Sequence, residues 1–187
     1  MTNYPDLNSL IHGIDSQLEG VMDAIDPASF GVTPEPMVKY ILVAIGSRSL
    51  AITIDSLAEV GSMPKITSLP NLPEWIKGIM NIRSEIISMI DLTGFLNEEK
   101  SDTRRDKKLL VLREGKMKVG VGVDSVVGTV TRSKSDIQPS KKSKESSIGA
   151  ILFQENLLVD GEIYSILNVQ KFLTHPRLVN FEKESLS

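Results

Sequence analysis

Few side chains in this sequence have the types and spacing that catalysis or metal binding requires. Cysteine is absent, so thiolate ligands and cysteine nucleophiles are excluded. The two histidines, His12 and His175, are far apart along the chain, and no cluster of histidines with metal-ligand spacing occurs. The sequence also lacks a Gly-x-Ser-x-Gly elbow and a Gly-x-x-x-x-Gly-Lys-Ser/Thr phosphate loop. We therefore expect no enzymatic activity, no cofactor and no bound metal.

One polar residue stands out from the apolar segments around it. Arg83 ends the predicted strand 78–83 and precedes the predicted strand 86–90. An arginine between two apolar strands must be either paired or exposed. It could form a salt bridge, for which Glu59 and Glu85 are candidates, or be an exposed anchor at a protein interface, where arginine is enriched. The residues alone leave both interpretations open.

The composition is that of a globular protein with a buried core. Of the 187 residues, 41% are hydrophobic and 24% charged, and the formal net charge is -3. Neither this charge nor the aromatic content of 5% favours binding to nucleic acid. The first residues lack the basic start and apolar run of a signal peptide, and no stretch approaches the ~20 apolar residues of a membrane span. We expect a soluble, cytoplasmic protein without direct membrane insertion.

The first 36 residues differ from the rest of the chain. Apolar residues recur at steps of three and four between Leu7 and Ile25, which predicts an amphipathic helix, and residues 31–36 have the composition of a linker. The helix could pack on the body of the protein, which we favour, or act as an arm that binds a partner. The predicted domains are an N-terminal extension (1–36), a β-rich domain (37–174) and a C-terminal tail (175–187).

From Met37 onward, short apolar and β-branched segments alternate with turn residues, which is typical of a barrel or a sandwich. The predicted strands are 38–45, 50–54, 78–83, 86–90, 107–112, 119–123, 126–131, 148–153 and 163–167. Two polar segments, 97–108 and 132–145, are predicted to be solvated loops.

An internal repeat sharpens this prediction. Residues 51–57 (AITIDSL) resemble 120–126 (GVGVDSV), and residues 88–96 (SMIDLTGFL) resemble 165–173 (SILNVQKFL). Because two separate segments repeat in the same order, we expect two related lobes, each a small barrel closed by a one-turn helix. Side-chain oxygens at equivalent positions are expected to cap backbone N–H groups. The predicted caps are Asp55, Asp91, Asp124 and Asn168.

The segment Pro73–Arg83 (PEWIKGIMNIR) resembles the signature of the CheW family, in which a proline, an apolar patch and a glycine precede Asn-Leu-Arg-Gly. Further elements of the family match the apolar strand and Asp-Leu of 86–92, the segment 55–60 and the segment 121–126. The resemblance extends roughly from Met37 to Leu173. It departs from the family at Ser84, where glycine is usual, and at Ser88, where proline is usual; both residues are expected at a turn joining the lobes.

The resemblance implies a mainly β fold of two five-stranded SH3-like barrels in one CheW-like module, preceded here by the amphipathic helix. It also implies an adaptor that binds the regulatory domain of a CheA-type histidine kinase and the cytoplasmic tip of a chemoreceptor. The receptor groove is expected between the lobes. The residues at or near its positions are Leu57, Glu59, Asn81, Arg83, Val123 and Val126.

Other functions are compatible with the same pattern. The adaptor could serve flagellar taxis, pilus motility or another chemosensory-like pathway. A free-standing relative of the kinase regulatory domain would instead compete for positions in a receptor array. A third alternative, an OB-like or SH3-like nucleic-acid binder, is disfavoured because the basic residues lie in predicted loops rather than among aromatic residues on a sheet.

Removing residues 1–36 should leave the β-rich domain folded, because the helical pattern and the barrel pattern are separated by a linker. A chain that begins at Met37 is expected to melt close to the temperature of the full-length protein. Thermal unfolding followed by circular dichroism measures this. A large drop in melting temperature would show that the N-terminal helix is part of the core.

Overall fold

The computed structural model describes residues 35–98, 107–140 and 147–180. The predicted N-terminal helix, parts of both polar loops and residues 181–187 lie outside the described residues, so the prediction about residues 1–36 stays a prediction. Among the residues described, no helix has the length and hydrophobicity needed to cross a bilayer.

Short β-strands make up most of the described chain. The strands are β1 (Met37–Ile45), β2 (Arg48–Thr53), β3 (Leu57–Ser62), β4 (Ile76–Ile82), β5 (Glu85–Ile90), β6 (Lys108–Glu114), β7 (Met117–Val123), β8 (Ser125–Ser133), β9 (Ile137–Pro139), β10 (Glu155–Val159) and β11 (Glu162–Ile166). The α-helices are α1 (Leu92–Phe95), α2 (Ile148–Leu152), α3 (Val169–Leu173) and α4 (Pro176–Val179).

The strands form two sheets, which confirms the predicted mainly β fold with two subdomains. Lobe A is the six-stranded sheet in the order β8-β1-β2-β11-β10-β9, and lobe B is the five-stranded sheet in the order β3-β6-β7-β5-β4. Lobe A has six strands instead of the expected five because a one-turn 3-10 helix, Lys134–Asp136, separates β8 from β9.

Both sheets must be strongly curved. The edge strands of lobe A, β8 and β9, are joined by only three residues, Lys134–Asp136. Six flat strands would span roughly 24 Å at ~4.8 Å per strand, whereas three residues of 3-10 helix reach only about 6 Å. In lobe B, Thr67 follows β3 and bridges to Ile79 on β4 in the equivalent way. Gly78 permits this approach, because a Cβ there would lie 2.1 Å from the carbonyl oxygen of Thr67.

Each half of the internal repeat contributes to both lobes. The hairpin β1–β2 belongs to lobe A, but the chain then crosses to lobe B for β3, β4 and β5. The second half does the reverse: β6–β7 lies in lobe B and the strands from β8 onward lie in lobe A. The two lobes are therefore not the two halves of the repeat, because each half supplies strands to both. The exchanged hairpins are joined to the other half by the parallel pairs β2–β11 and β5–β7.

The apolar residues form three cores. Lobe A encloses one cluster around Leu42, Leu157 and Tyr164, and lobe B encloses another around Met80 and Leu109. The largest cluster combines residues from strands of both sheets and from the helices that follow β5 and β11. Its members include Val43, Leu50, Trp75, Phe95, Leu112, Val121 and Phe172. The two lobes are therefore held together by a continuous core.

Two of the four predicted caps are confirmed. The Asp91 carboxylate accepts from the Gly94 N–H at the start of α1, and the Asn168 amide oxygen accepts from the Lys171 N–H at 2.9 Å at the start of α3. Burial alone would raise the pKa of Asp91, but hydrogen bonds from Thr93, Lys77 and Gly94 outweigh it and lower that pKa.

Asp55 and Asp124 are not helix caps. Asp55 lies inside a 3-10 turn, Ile54–Ser56, whose N-cap residue makes no side-chain capping bond. The Asp124 carboxylate instead accepts from the Gly46 N–H at 2.6 Å, across 78 residues of sequence. Both aspartates lie where the chain crosses between the lobes. The repeated Asp-Ser segment therefore occurs at both of these crossings.

The segment predicted as strand 148–153 is the helix α2, so this prediction is wrong. Ser147 caps its start by accepting from the Ala150 N–H at 3.3 Å, and Leu152 points into the central core. A short apolar run is compatible with a buried strand or a buried helix, and here the serine cap and Gly149 accompany the helix.

The described chain continues as a short helix beyond residue 174, where the domain boundary is predicted. Residues 176–179 form α4, and Leu178 is buried in the central core. The His175 Nδ1 accepts from the Arg177 N–H at 3.2 Å and caps this helix, while its ring packs edge-on against Phe95 with centroids 5.5 Å apart. Residues 175–180 were assigned to the tail because their helix is too short to show a periodic pattern.

The His175 cap should make stability depend on pH. Burial, followed by the charge of Arg177, lowers the pKa of His175 below its ordinary value of 6.5. The unfolded chain therefore binds a proton at a higher pH than the folded chain does. The stabilising contribution is complete above about pH 6.5 and is lost as the pH falls through the lowered pKa.

His175→Asn should reduce the loss of melting temperature between about pH 7.5 and about pH 5.5, because asparagine keeps a capping oxygen but does not titrate. Melting curves of both proteins at several pH values measure this. His12→Asn, the matching change at the other histidine, shows how much of the dependence arises elsewhere. An unchanged pH dependence in His175→Asn would contradict the assignment.

Candidate functional site

Arg83 lies at the tip of a hairpin in lobe B. Ile82 pairs with Glu85, so Arg83 and Ser84 form a two-residue turn between β4 and β5. Their φ values of 49° and 69° are those of a type I′ turn, which matches the twist of a hairpin. The Asn81 amide oxygen accepts from the Ser84 N–H at 3.0 Å. The expectation that this turn joins the lobes is wrong, and Ser88 lies within β5 on its exposed side.

Arg83 is both paired and exposed, so both interpretations from the sequence hold in part. Its Nε lies 3.0 Å from Oε2 of Glu59 on β3. The Arg83 side chain is 83% exposed to solvent, and the Glu59 side chain is 28% exposed. An ion pair this exposed contributes only ~0–1 kcal/mol to stability. The fork of the guanidinium therefore remains available to another molecule.

The Arg83–Glu59 ion pair borders a surface depression of lobe B, which we call the mouth of lobe B. A shallow pocket of about 190 Å³ there is lined by Glu59, Arg83, Glu85 and Lys118, with Ile87 and Val111 of the lobe B core at its base. The Lys118 ammonium lies 2.5 Å from the Glu85 carboxylate, so two cation–carboxylate pairs border the mouth. The surface is polar at the rim and apolar beneath.

A bulge in β3 turns neighbouring residues toward different surfaces. Leu57 pairs with Leu112, but Glu59 pairs with Val111, so the register shifts by one residue between them. Leu57 therefore packs against the central core, while Glu59 faces the mouth of lobe B. Val60, next in the strand, faces a second depression and is 46% exposed.

This second depression is an open groove between the lobes. It measures about 490 Å³ and is lined from lobe B by Val60, Gly61, Ser62 and Lys108, and from the start of β8 in lobe A by Ser125 and Val126, with Asp124 at the crossing. Asp124 is anchored by Gly46 and lies 3.6 Å from the Lys107 ammonium. The exposed valines give each wall an apolar residue, and the adjoining Lys108 and Asp124 are charged.

The six residues chosen from the sequence do not form one surface. Arg83, Glu59 and Asn81 lie on or beside the hairpin tip, and Val126 lies in the inter-lobe groove with 38% exposure. Val123 is fully buried and Leu57 is half-buried, and both pack in the central core. Leu57 and Val123 can support the groove from the core side. Because Val123 is fully buried, it cannot contact a partner directly.

Val60 is absent from the residues predicted for the groove, because side chains alternate along a strand and Val60 then faces away from Glu59. A valine at a position of this edge strand that the alternation assigns to solvent could have identified it. It directly precedes Gly61 and Ser62 at the end of the strand. The bulge that turns Leu57 and Glu59 toward different surfaces depends on pairing with β6, about 50 residues away.

Comparison with known proteins agrees with this geometry. The family model of the CheW-like domain matches residues 39–177. The chain belongs to the CheW-like domain family. The groove and the hairpin tip described above lie within this domain.

Curated relatives match different shares of the chain. Protein PilI of Pseudomonas aeruginosa is 33% identical over 84 residues, which are 45% of this chain and 47% of PilI. The chemotaxis protein CheW of Klebsiella aerogenes is 23% identical over 138 residues, 71% of this chain and 83% of that protein. The match thus spans about half of PilI but most of CheW.

A solved structure supports the fold. The scaffolding protein TtCheW of Thermoanaerobacter tengcongensis superposes with a TM-score of 0.63 at 23% identity, covering 73% of this chain and 86% of TtCheW. The two-lobed β architecture is therefore shared with that CheW protein.

Ser84→Gly should stabilise the protein by about 1 kcal/mol, because serine at a φ of 69° is strained by its Cβ and glycine is not. The Asn81 bond to the backbone of residue 84 would be kept. Chemical denaturation measures the free energy of unfolding. The control is Ser88→Gly in the regular part of β5, which should destabilise by roughly 0.5–1 kcal/mol. Equal effects at both positions would contradict the turn assignment.

Proposed function

We propose that this protein is a chemosensory adaptor that couples methyl-accepting chemoreceptors to a CheA-type histidine kinase. The observation that carries the proposal is the inter-lobe groove of a CheW-like domain, with exposed valines along it and an exposed arginine on the adjoining lobe. The protein acts by binding and catalyses no reaction. It works in the cytoplasm and joins membrane receptor arrays through protein contacts.

The groove suits the side of a receptor helix. Val60 and Val126 offer apolar area, one from each lobe. An amphipathic helix that lies in such a groove would bury its apolar residues against these valines. Lys108 at the same groove can pair with a carboxylate at the edge of the helix and help to set its register.

Arg83 would orient the receptor helix. Its guanidinium is held by one carboxylate and still exposes most of its surface, so a carboxylate or carbonyl on a partner can take the remaining donors. Glu59 fixes the direction of the side chain before binding, which reduces the conformational entropy lost on association.

Similarity to proteins named CheW and PilI supports a chemosensory pathway, and the partners themselves can be identified directly. Affinity capture from the native cytoplasm should recover one kinase and one class of receptor. Reconstitution then distinguishes an adaptor from a competitor for array positions. An adaptor raises kinase activity when receptor is added, whereas a competitor lowers the activity of a preassembled array. Capture of neither partner would contradict the proposal.

Arg83→Ala should weaken binding to a receptor fragment by about tenfold or more, because an arginine in a desolvated contact is worth ~2 kcal/mol or more on truncation. The melting temperature should change little, since only an exposed ion pair is lost. Calorimetric titration and melting curves of the same variant measure the two effects.

A matched control is Arg132→Ala on β8, whose guanidinium donates to the neighbouring Thr131 carbonyl at 3.0 Å. It should leave receptor affinity unchanged. A large loss of stability in Arg83→Ala, with affinity preserved, would assign Arg83 a structural role and remove it from the site.

A further inference from the structure

The inter-lobe groove lies at one of the places where the chain crosses between the lobes. After β7 ends in lobe B at Val123, Asp124 leads directly into β8 of lobe A, whose first residues line the groove. The first half of the repeat has an equivalent crossing at Asp55, between β2 of lobe A and β3 of lobe B. The two crossings share the repeated Asp-Ser segment and can therefore be compared residue by residue.

Asp124 is held from both lobes. Its backbone N–H donates to the Ala44 carbonyl on β1 at 2.8 Å, and its carboxylate accepts from the Gly46 N–H at 2.6 Å. These two bonds fix Asp124 to the β1–β2 hairpin of lobe A. The Lys107 ammonium, at the entry to β6 of lobe B, lies 3.6 Å from the same carboxylate. Because the Asp124 side chain is only 9% exposed, salt screens this ion pair less than a fully exposed one.

Each residue of this ion pair directly precedes a wall of the groove. Asp124 is followed by Ser125 and Val126 on the lobe A wall, and Lys107 is followed by Lys108 on the lobe B wall. The ion pair therefore joins the two walls at the points where they begin. Because consecutive Cα atoms are only ~3.8 Å apart, a displacement of either charged residue is transmitted to the wall that follows it.

The equivalent aspartate at the other crossing, Asp55, makes no such contacts. It lies in the 3-10 turn Ile54–Ser56 and is exposed. Gly115, in the turn between β6 and β7, is the repeat equivalent of Gly46. Among the described residues, no hydrogen bond joins Gly115 to Asp55. The backbone plan of the repeat therefore does not produce these contacts by itself, and they occur at the crossing that borders the groove.

We infer that Asp124 is a positioning residue for receptor binding, which sets the separation of the two groove walls. Its Oδ2 accepts from the Gly46 N–H and its Oδ1 faces the Lys107 ammonium, so both oxygens are already engaged within the protein. Asp124 therefore acts through the walls and not as a charge that meets the receptor. Walls held at a fixed separation reduce the conformational entropy lost when a helix binds. This inference rests on the proposed adaptor function.

The test measures the affinity of full-length variants for a soluble fragment of the receptor tip, by calorimetric titration well below their melting temperatures. Asp124→Ala removes both side-chain contacts and should weaken binding by about tenfold. Asp124→Asn keeps an acceptor for the Gly46 N–H and should weaken binding by only about threefold. Asp55→Ala is the matched control at the equivalent aspartate and should bind as the unchanged protein does. A merely structural role for Asp124 would lower the melting temperature and leave the affinity of the folded variants unchanged.

Lys107→Gln shows whether Asp124 acts through the ion pair, and it decides the question even if Asp124→Ala does not fold. Alone it should weaken receptor binding by about threefold, as Asp124→Asn does. The double variant should lose no more than either single variant, because both changes remove the same ion pair. NMR spectra of the unbound proteins give a second measurement. The informative amide shift in Asp124→Asn is that of Val60, which is distant in sequence and lies across the groove.

Three results would overturn the inference. One is that the folded Asp124 variants bind the receptor fragment as tightly as the unchanged protein, and another is that Asp55→Ala weakens binding equally. The third is that the losses from Asp124→Asn and Lys107→Gln multiply in the double variant, which would mean that each residue contacts the receptor separately. If the unchanged protein bound no receptor fragment, the proposed function would fail. The Val60 amide shift would then decide the inference, because it reports on the opposite wall without a partner.

Discussion

Phe95 and Phe172 meet edge to face at the centre of the molecule, with ring centroids 5.1 Å apart and no exposure to solvent. They occupy equivalent positions in the two halves of the repeat, each at the helix that follows the last strand of its half. Trp75 and His175 complete the aromatic group around Phe95. Because each half sends its hairpin into the other lobe, this contact and the apolar residues around it belong to both lobes. Separating the lobes would expose the largest core in the described structure.

The same constraint shapes the candidate interaction surfaces. β3 and β8 each begin directly after the chain crosses from one lobe to the other. Leu57 and Val126 are repeat equivalents at these starts, yet one is half-buried and the other lines the groove. Asp124 holds the second crossing through the Gly46 N–H and so fixes one wall of the groove. A groove whose walls are fixed in this way loses little conformational freedom when a helix binds.

Charge is distributed differently over the two lobes. Ion pairs within lobe B include Arg83–Glu59, Lys118–Glu85 and Lys77–Asp91. At the equivalent place in lobe A, Gln154 and Asn168 stand where lobe B has Lys77 and Asp91, and the Lys171 ammonium donates to the Gln154 side-chain oxygen at 2.7 Å. The repeat conserved the backbone plan while its polar residues diverged, so equivalent locations now have different electrostatic character.

The amino-acid sequence by itself determined the local features. Alternating apolar residues and turn residues predicted most strands, the repeat predicted two lobes, and the caps at Asp91 and Asn168 followed from short-range hydrogen bonding. Tertiary structure decided which strands pair, because the exchange of hairpins depends on contacts between distant segments. It also decided that 148–152 is helical, that Val123 is buried and that β3 is bulged between Leu57 and Glu59. Exposure and register arise from the packing of residues far apart in the chain, so local patterns do not contain them.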